Sequence, residues 1–236
     1  ASAAARLSLA TSTRTPERSA TSAPSGRSRQ SRLTAQRIVP VSESTMPGVP
    51  IQDAVWLHEY LDAFPPDLLR YALATMLPET KDADFSWTEF QTRVNSELAD
   101  VLGNFVNRAL TFAARNFDGK VPPLAEPNEM DRDVLERLAA FPKTVGEAYE
   151  TFRMREAVFE TMNLARLGNK YFNDAEPWKT RKTDPQSCAN TIHVSLQLCA
   201  ALAVLLDPIL PFSAVRLREM LRLEGVRPST PGADGA

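Results

Sequence analysis

Histidine is almost absent from this chain: 236 residues contain two, His58 and His193. No paired-histidine metal site can be built from them, and the two cysteines, Cys188 and Cys199, are too few and too badly spaced for structural zinc. Eleven positions apart in what reads as one helix, the cysteines are separated by about 16 Å of rise, which rules out an unstrained mutual disulfide and fits a reducing, cytoplasmic setting. Glycine is scarce as well, and the nine present form neither a Walker-type nor a dinucleotide-binding loop. The longest unbroken apolar run, residues 198–206, falls far short of the roughly 20 residues that cross a bilayer, so a soluble chain with no membrane partner is expected. Taken on its own chemistry, the chain does not read as a complete enzyme, and no catalytic or metal-binding residue is assigned.

Charge is unevenly spread. Residues 1–50 hold seven arginines, no lysine and two glutamates, a net +5. The whole chain carries −2, so the rest carries −7. A segment so rich in Ser and Arg and so poor in apolar residues cannot bury enough surface to offset its ordering entropy, and residues 1–50 are expected to be disordered. The composition is like that of an organelle transit segment, which keeps an organelle open as the alternative location; a chain opening on Ala1 fits a truncated or misframed upstream region equally well.

From Trp56 onward, apolar residues recur every three or four positions and no strand-like alternation is sustained. The expected fold is all-α, an antiparallel helix bundle with short links. "FPPD" starts a helix over 67–74, and a long helix runs over 87–116 until "FDGK" stops it at Gly119. Asn128 or Asp131 caps a short helix over 133–138. Beyond it come a longer helix over 144–172, a loop, a long apolar helix over 185–206 and a short one over 213–223. The expected domains are a connector over 51–86, the bundle over 87–225 and a flexible tail over 226–236.

Two features suggest recognition. Asn104 and Arg108 stand four apart, so a carboxamide and a guanidinium fork project from one helix face, groups able to read a base edge. A solvated polar pair has the same spacing. In "LGNKYFNDAEPWKTRK" Trp178 follows Pro177 among charged neighbours. Such an indole either tucks against the bundle or serves as a platform for an unstacked RNA base. Arg115, Lys120, Lys170, Lys179, Arg181 and Lys182 fall in the segments that should converge there, as phosphate contacts on a basic strip. His193, on an apolar helix, reads as a hydrogen-bonded core or semi-exposed residue.

The stretches "FPPDLLRYALATMLPETKDADFSWTEF", "NSELADVLGNFVNRALTFAARNFDGKVP" and "LARLGNKYFNDAEPWK" resemble the C-terminal half of methionyl-tRNA synthetases, class I aminoacyl-tRNA ligases. The likeness runs from about Trp56 to Leu223. It implies an α-helical anticodon-binding domain. By that resemblance Asn104 and Arg108 hydrogen-bond the cytosine that begins a CAU anticodon, Trp178 stacks on an anticodon base, and Pro177 shapes its loop.

The same resemblance implies features that this chain lacks. The family's catalytic half acts on ATP and Mg through an H-I-G-H type signature and a lysine loop, and neither occurs: the histidines are far apart and no lysine precedes Lys81. The chain is therefore expected to hold no cofactor, to be inactive in aminoacylation alone, and to be a fragment or truncated product of a methionine–tRNA ligase, with the missing catalytic half as one candidate partner. Methionine tRNA is the expected partner, with no DNA, and a monomer is expected. A freestanding RNA- or protein-binding module, another class I ligase and a purely structural bundle stay open. Where the family usually has a second aromatic, this chain has Ala72, which suggests looser packing beside the catalytic part.

Overall fold

A computed structural model of the chain describes residues 57–79 and 85–223. The expectations for residues 1–50 and for the tail at 226–236 lie outside them. Among the described residues every regular element is helical, as the three- and four-residue apolar spacing requires.

Helix α1 (Leu57–Ala63) and α2 (Pro66–Met76) are separated by Phe64 and Pro65, and Pro66 occupies the first turn of α2, where its missing N–H costs nothing. With α3 (Trp87–Arg93) they enclose a small aromatic cluster. Tyr60 and Phe90 are buried there edge to face, 6.0 Å between ring centroids, with Phe64, Phe85 and Trp87 around them. Ala72 is fully buried in the same cluster.

The predicted 87–116 rod has the expected ends but is not α-helical throughout. Between α3 and α4 (Asn104–Asn116) lie ten π-helical residues, Val94–Gly103, whose ladder skips five residues instead of four. Apolar periodicity cannot distinguish the two ladders over so short a span.

The next boundary differs more. A single helix α5 (Glu129–Glu150) replaces the expected short helix and gap, with Pro142 inside it. Proline removes one backbone donor, but α5 packs along both α6 (Met154–Asp174) and α8 (Pro185–Leu205), and burial of Val134, Val145 and Ala148 carries the helix through. The reversal falls instead at Thr151–Arg153, where Phe152 takes a left-handed backbone, φ 59°. Asn128 does cap α5: its side chain accepts from Asp131 N–H, and Asp131 accepts from Asn128 N–H in return. Buried Asp131 also receives the Tyr171 hydroxyl at 2.6 Å, tying the start of α5 to α6.

The stretch expected as a loop before residue 185 contains a short helix, α7 (Pro177–Thr183). Helix α8 is the spine of the core. Its length and mean hydropathy of 1.6 would suit a membrane span, a property the unbroken-run criterion misses, yet 67% of that window is buried within the bundle. Its polar groups are engaged. His193 Nδ1–H donates to the Pro122 carbonyl at 2.7 Å, since a carbonyl can only accept, and Nε2 then accepts from Gln197. Asn190 exchanges two hydrogen bonds with the Ala125 backbone, so α8 holds down the proline-rich connection. Cys188 and Cys199 are buried free thiols, and burial pushes the Cys199 thiol well above its ordinary range.

Helix α2 locks the turn between α8 and α9 (Pro211–Leu221). Buried Asp67 accepts from the backbone N–H (2.7 Å) and hydroxyl (2.6 Å) of Ser213, satisfying donors at the α9 N-terminus. Arg70 donates to the carbonyls of Pro208 and Ile209.

Helices α4 and α6 meet at close range. A Cβ built on Gly168 would lie 2.4–2.7 Å from atoms of the fully buried Phe105 ring, so the two helices approach as they do because residue 168 has no side chain. In a helix, glycine to alanine ordinarily stabilises by about 1 kcal/mol. Gly146→Ala, with nothing within 4 Å of the new methyl, should show that gain. Gly168→Ala should show the opposite sign, because overpacking costs about 1–3 kcal/mol. Urea midpoints of the two variants measure this; a Gly168→Ala chain as stable as wild type would contradict the close approach.

Candidate functional site

The Gly168 contact brings two polar faces into register. Asn104 Nδ2 on α4 donates to Asn169 Oδ1 on α6 at 3.1 Å, and one turn along Arg108 donates to Asn173 Oδ1 at 2.8 Å. Each helix thus presents a pair at i and i+4, and the pairs match rung for rung. Asn169 is held further: its Nδ2 donates to the Val101 carbonyl at 2.8 Å and to the Ala165 carbonyl at 3.3 Å. Among the described residues, Asn104 Oδ1 and the remaining Arg108 donors have no protein partner.

Arg108 lies over aromatic faces. Its guanidinium carbon is 4.7 Å from the Phe172 ring centroid and 5.8 Å from that of Trp178. Such stacking is worth about 0.5–2 kcal/mol and orients the planar fork. Partial burial pulls the guanidinium below its ordinary value, although an arginine still stays protonated. Phe172 is buried, backed by Phe112 edge-on, and its centroid is 6.2 Å from that of Trp178.

Trp178 owes its position to a sharp joint. After α6, Glu176 adopts a left-handed backbone, φ 44°, Pro177 starts α7 and is buried, and Trp178 emerges beside Phe172. Pro177 therefore starts a helix instead of shaping a loop, because its fixed φ suits a first helical position. A non-glycine residue held left-handed costs on the order of 1–3 kcal/mol and persists only where its surroundings impose it. Trp178 is 44% exposed, with Phe172 beside it and the Arg108 guanidinium over its ring. A purely structural bundle requires two features, a buried Trp178 and an internally bonded Asn104. Only the second is found, and it engages only the nitrogen end of the amide.

The six basic residues divide. Lys170 pairs with Asp174, Lys179 with Glu176 at 2.7 Å, and Arg181 donates to Asn116 Oδ1. Arg115, Lys120 and Lys182 are exposed at the end of α4, the turn after it and α7. No group of His, Cys, Asp and Glu able to hold a metal ion occurs among the described residues. Gly168, Asn169, Phe172 and Asn173 were not expected from the sequence, although Asn169 and Asn173 repeat the four-residue spacing of Asn104 and Arg108 just ahead of "EPW".

Residues 31–110 match a family described as tRNA synthetases class I (M), and residues 121–231 match the anticodon binding domain of methionyl tRNA ligase. The first match begins upstream of Trp56. Methionine–tRNA ligase of Salinibacter ruber is 68% identical over 188 residues, covering 78% of this chain and 26% of that protein. The Pyrococcus furiosus ligase is 48% identical over 174 residues, covering 74% and 24%. The chain thus spans about a quarter of the length of these relatives. Among solved structures, apo Mycobacterium tuberculosis methionyl-tRNA synthetase superimposes with a TM-score of 0.66 at 28% identity, over 71% of this chain and 35% of that one. The same enzyme with methionyl-adenylate gives 0.62 over 70% and 35%.

The exposure of the Trp178 indole can be tested directly. With Trp56 and Trp87 changed to Phe, emission from Trp178 should be quenched by acrylamide several-fold more efficiently than emission from Trp87 in the converse variant. Equal quenching would mean that Trp178 is not an accessible platform.

Proposed function

We propose that this chain, which belongs to the methionyl-tRNA ligase family of class I tRNA synthetases, reads the CAU anticodon of methionine tRNA. One observation carries the reading: a half-exposed indole stands beside an arginine fork and an asparagine amide whose outward groups have no partner among the described residues. Cytosine offers N3 and O2 as acceptors and its N4 amino group as donor. Arg108 supplies donors to N3 and O2, Asn104 meets the N4 side, and an unstacked anticodon base lies on Trp178. A wrong first base would leave buried polar groups unpaired at about 1–3 kcal/mol each.

In this reading Arg115, Lys120 and Lys182 meet phosphates, and Lys170, Lys179 and Arg181 do so by exchanging their present partners. Exposed ion pairs are worth only about 0–1 kcal/mol, so a phosphate competes readily. The bundle acts as the anticodon-reading part of a ligase that joins methionine to its tRNA with ATP and Mg handled by a catalytic part, working as a monomer in the cytoplasm.

Titration of the 236-residue chain with anticodon stem-loops at one stated salt concentration tests this. Wild type should prefer CAU to UAU and GAU. Trp178→Ala should weaken CAU binding by about 1–3 kcal/mol through lost stacking. Arg108→Gln should narrow the gap between CAU and its first-base variants, whereas Lys182→Ala should weaken all three alike and flatten the salt dependence. An unchanged first-base preference in Arg108→Gln would remove the base-reading role.

A further inference from the structure

We infer that Asn169 fixes which end of the Asn104 amide faces the base, and so makes the site demand an amino group there. The inference rests on the anticodon reading and adds a positioning residue to it. An asparagine amide is ambiguous in isolation, since its oxygen and nitrogen differ little in shape, and a free Asn104 would accept from cytosine or donate to uracil by turning over.

The surrounding chemistry removes that freedom in three steps. Main-chain carbonyls only accept, so the group of Asn169 facing Val101 and Ala165 must be its nitrogen. Its oxygen is then the group facing Asn104, and an oxygen there requires the Asn104 nitrogen. Asn104 Oδ1 is left for the ligand. The orientation thus follows from the two carbonyls, whichever way either amide is first drawn.

The first link depends on the π-helical stretch. Val101 lies inside it, and the Asn104 amide N–H straddles the change of ladder, bonding to the carbonyls of Ala99 and Val101. The Val101 carbonyl also lies within reach of α6, and Asn169 takes it at 2.8 Å. On the other rung, Asn173 occupies one Arg108 N–H and leaves the rest of the fork outward. The combined edge is one acceptor followed by donors, complementary to the N4, N3 and O2 of cytosine. Uracil offers O4 and N3–H in those places and is mismatched at both.

Two substitutions separate this role from general support of the fold. Asn169→Ala removes the oxygen that holds Asn104, so the amide turns freely. The preference for a CAU over a UAU stem-loop should fall about tenfold, with CAU binding itself changed less. Asn169→Asp presents oxygen at both ends, so Asn104 must still donate to it. The CAU over UAU ratio should survive, while the added negative charge weakens both stem-loops alike. Helicity by circular dichroism identifies the folded variants.

A merely structural Asn169 predicts the reverse order, because the aspartate loses the carbonyl bonds and adds carboxylate–carbonyl repulsion. Loss of the ratio in folded Asn169→Asp overturns the inference, as does an unchanged ratio in folded Asn169→Ala. If the alanine variant does not fold, the aspartate ratio decides alone: kept, it supports the role; lost, it overturns it. A wild-type chain with no CAU preference instead overturns the anticodon reading, and the inference with it. A wild-type preference that persists in both variants overturns the inference and leaves the anticodon reading standing.

Discussion

The Phe105 ring lies where a Cβ on residue 168 would have to be, and this missing side chain sets the separation of α4 and α6 on which the rest of the site depends. One residue further along each surface, that separation becomes a polar distance: Asn104 to Asn169 at 3.1 Å, and Arg108 to Asn173 at 2.8 Å one turn on. A methyl group at 168 would force the buried ring or the helices to shift, because real Cβ atoms do not approach to 2.4–2.7 Å. Hydrogen bonds weaken steeply past their optimum, so both rungs would weaken together. A packing contact in the core thus governs two polar contacts at the surface.

Spacing alone is not enough, because α4 must also present the right face to α6. Its rotation is set upstream, in the π-helical stretch, where Glu97 accepts from the buried Tyr71 hydroxyl and lies 3.5 Å from the Arg166 guanidinium. Those partners come from α2 and α6, so the irregular segment is pinned from two sides. Burial and the neighbouring carboxylate push the Tyr71 phenol far above its ordinary range, so it remains a donor at any working pH. Such π segments recur at functional sites, and here the consequence is local: the carbonyl that Asn169 takes belongs to one.

The sequence made the helices legible where apolar spacing and end signals agreed. The 87–116 rod, the α8 span and the Asn128 cap fall where they were expected. It misled where a local rule lost to packing, as at Pro142, whose single missing donor did not outweigh the burial of Val145 and Ala148 two helices deep. It was silent where the deciding quantity is a relation between distant segments. Asn169 and Asn173 show the same spacing as Asn104 and Arg108, but nothing local says that the pairs face each other across sixty-five positions. Pro177 did offer a start for the short helix behind Glu176, but the left-handed Glu176 itself was hidden, since the residue before a proline is biased toward extended backbone.

On the proposed reading, the charge of the chain bears on how a base is selected. An excess of seven negative charges over residues 51–236 gives little long-range attraction for RNA, and Lys170 and Lys179 are already paired with Asp174 and Glu176. Phosphate attraction raises affinity for every sequence alike, whereas direct contacts to a base edge distinguish one sequence from another. A site with modest phosphate attraction and a fixed acceptor–donor edge therefore gains proportionally more from the correct base. Lys170 and Lys179 are muted by their pairing, whereas Lys182, one turn beyond Trp178 on α7, and Arg115 and Lys120, on α4 and the turn after it, stay exposed. That arrangement favours selectivity over grip, and it requires amides and a guanidinium held as firmly as Gly168, Asn169 and Phe172 hold them.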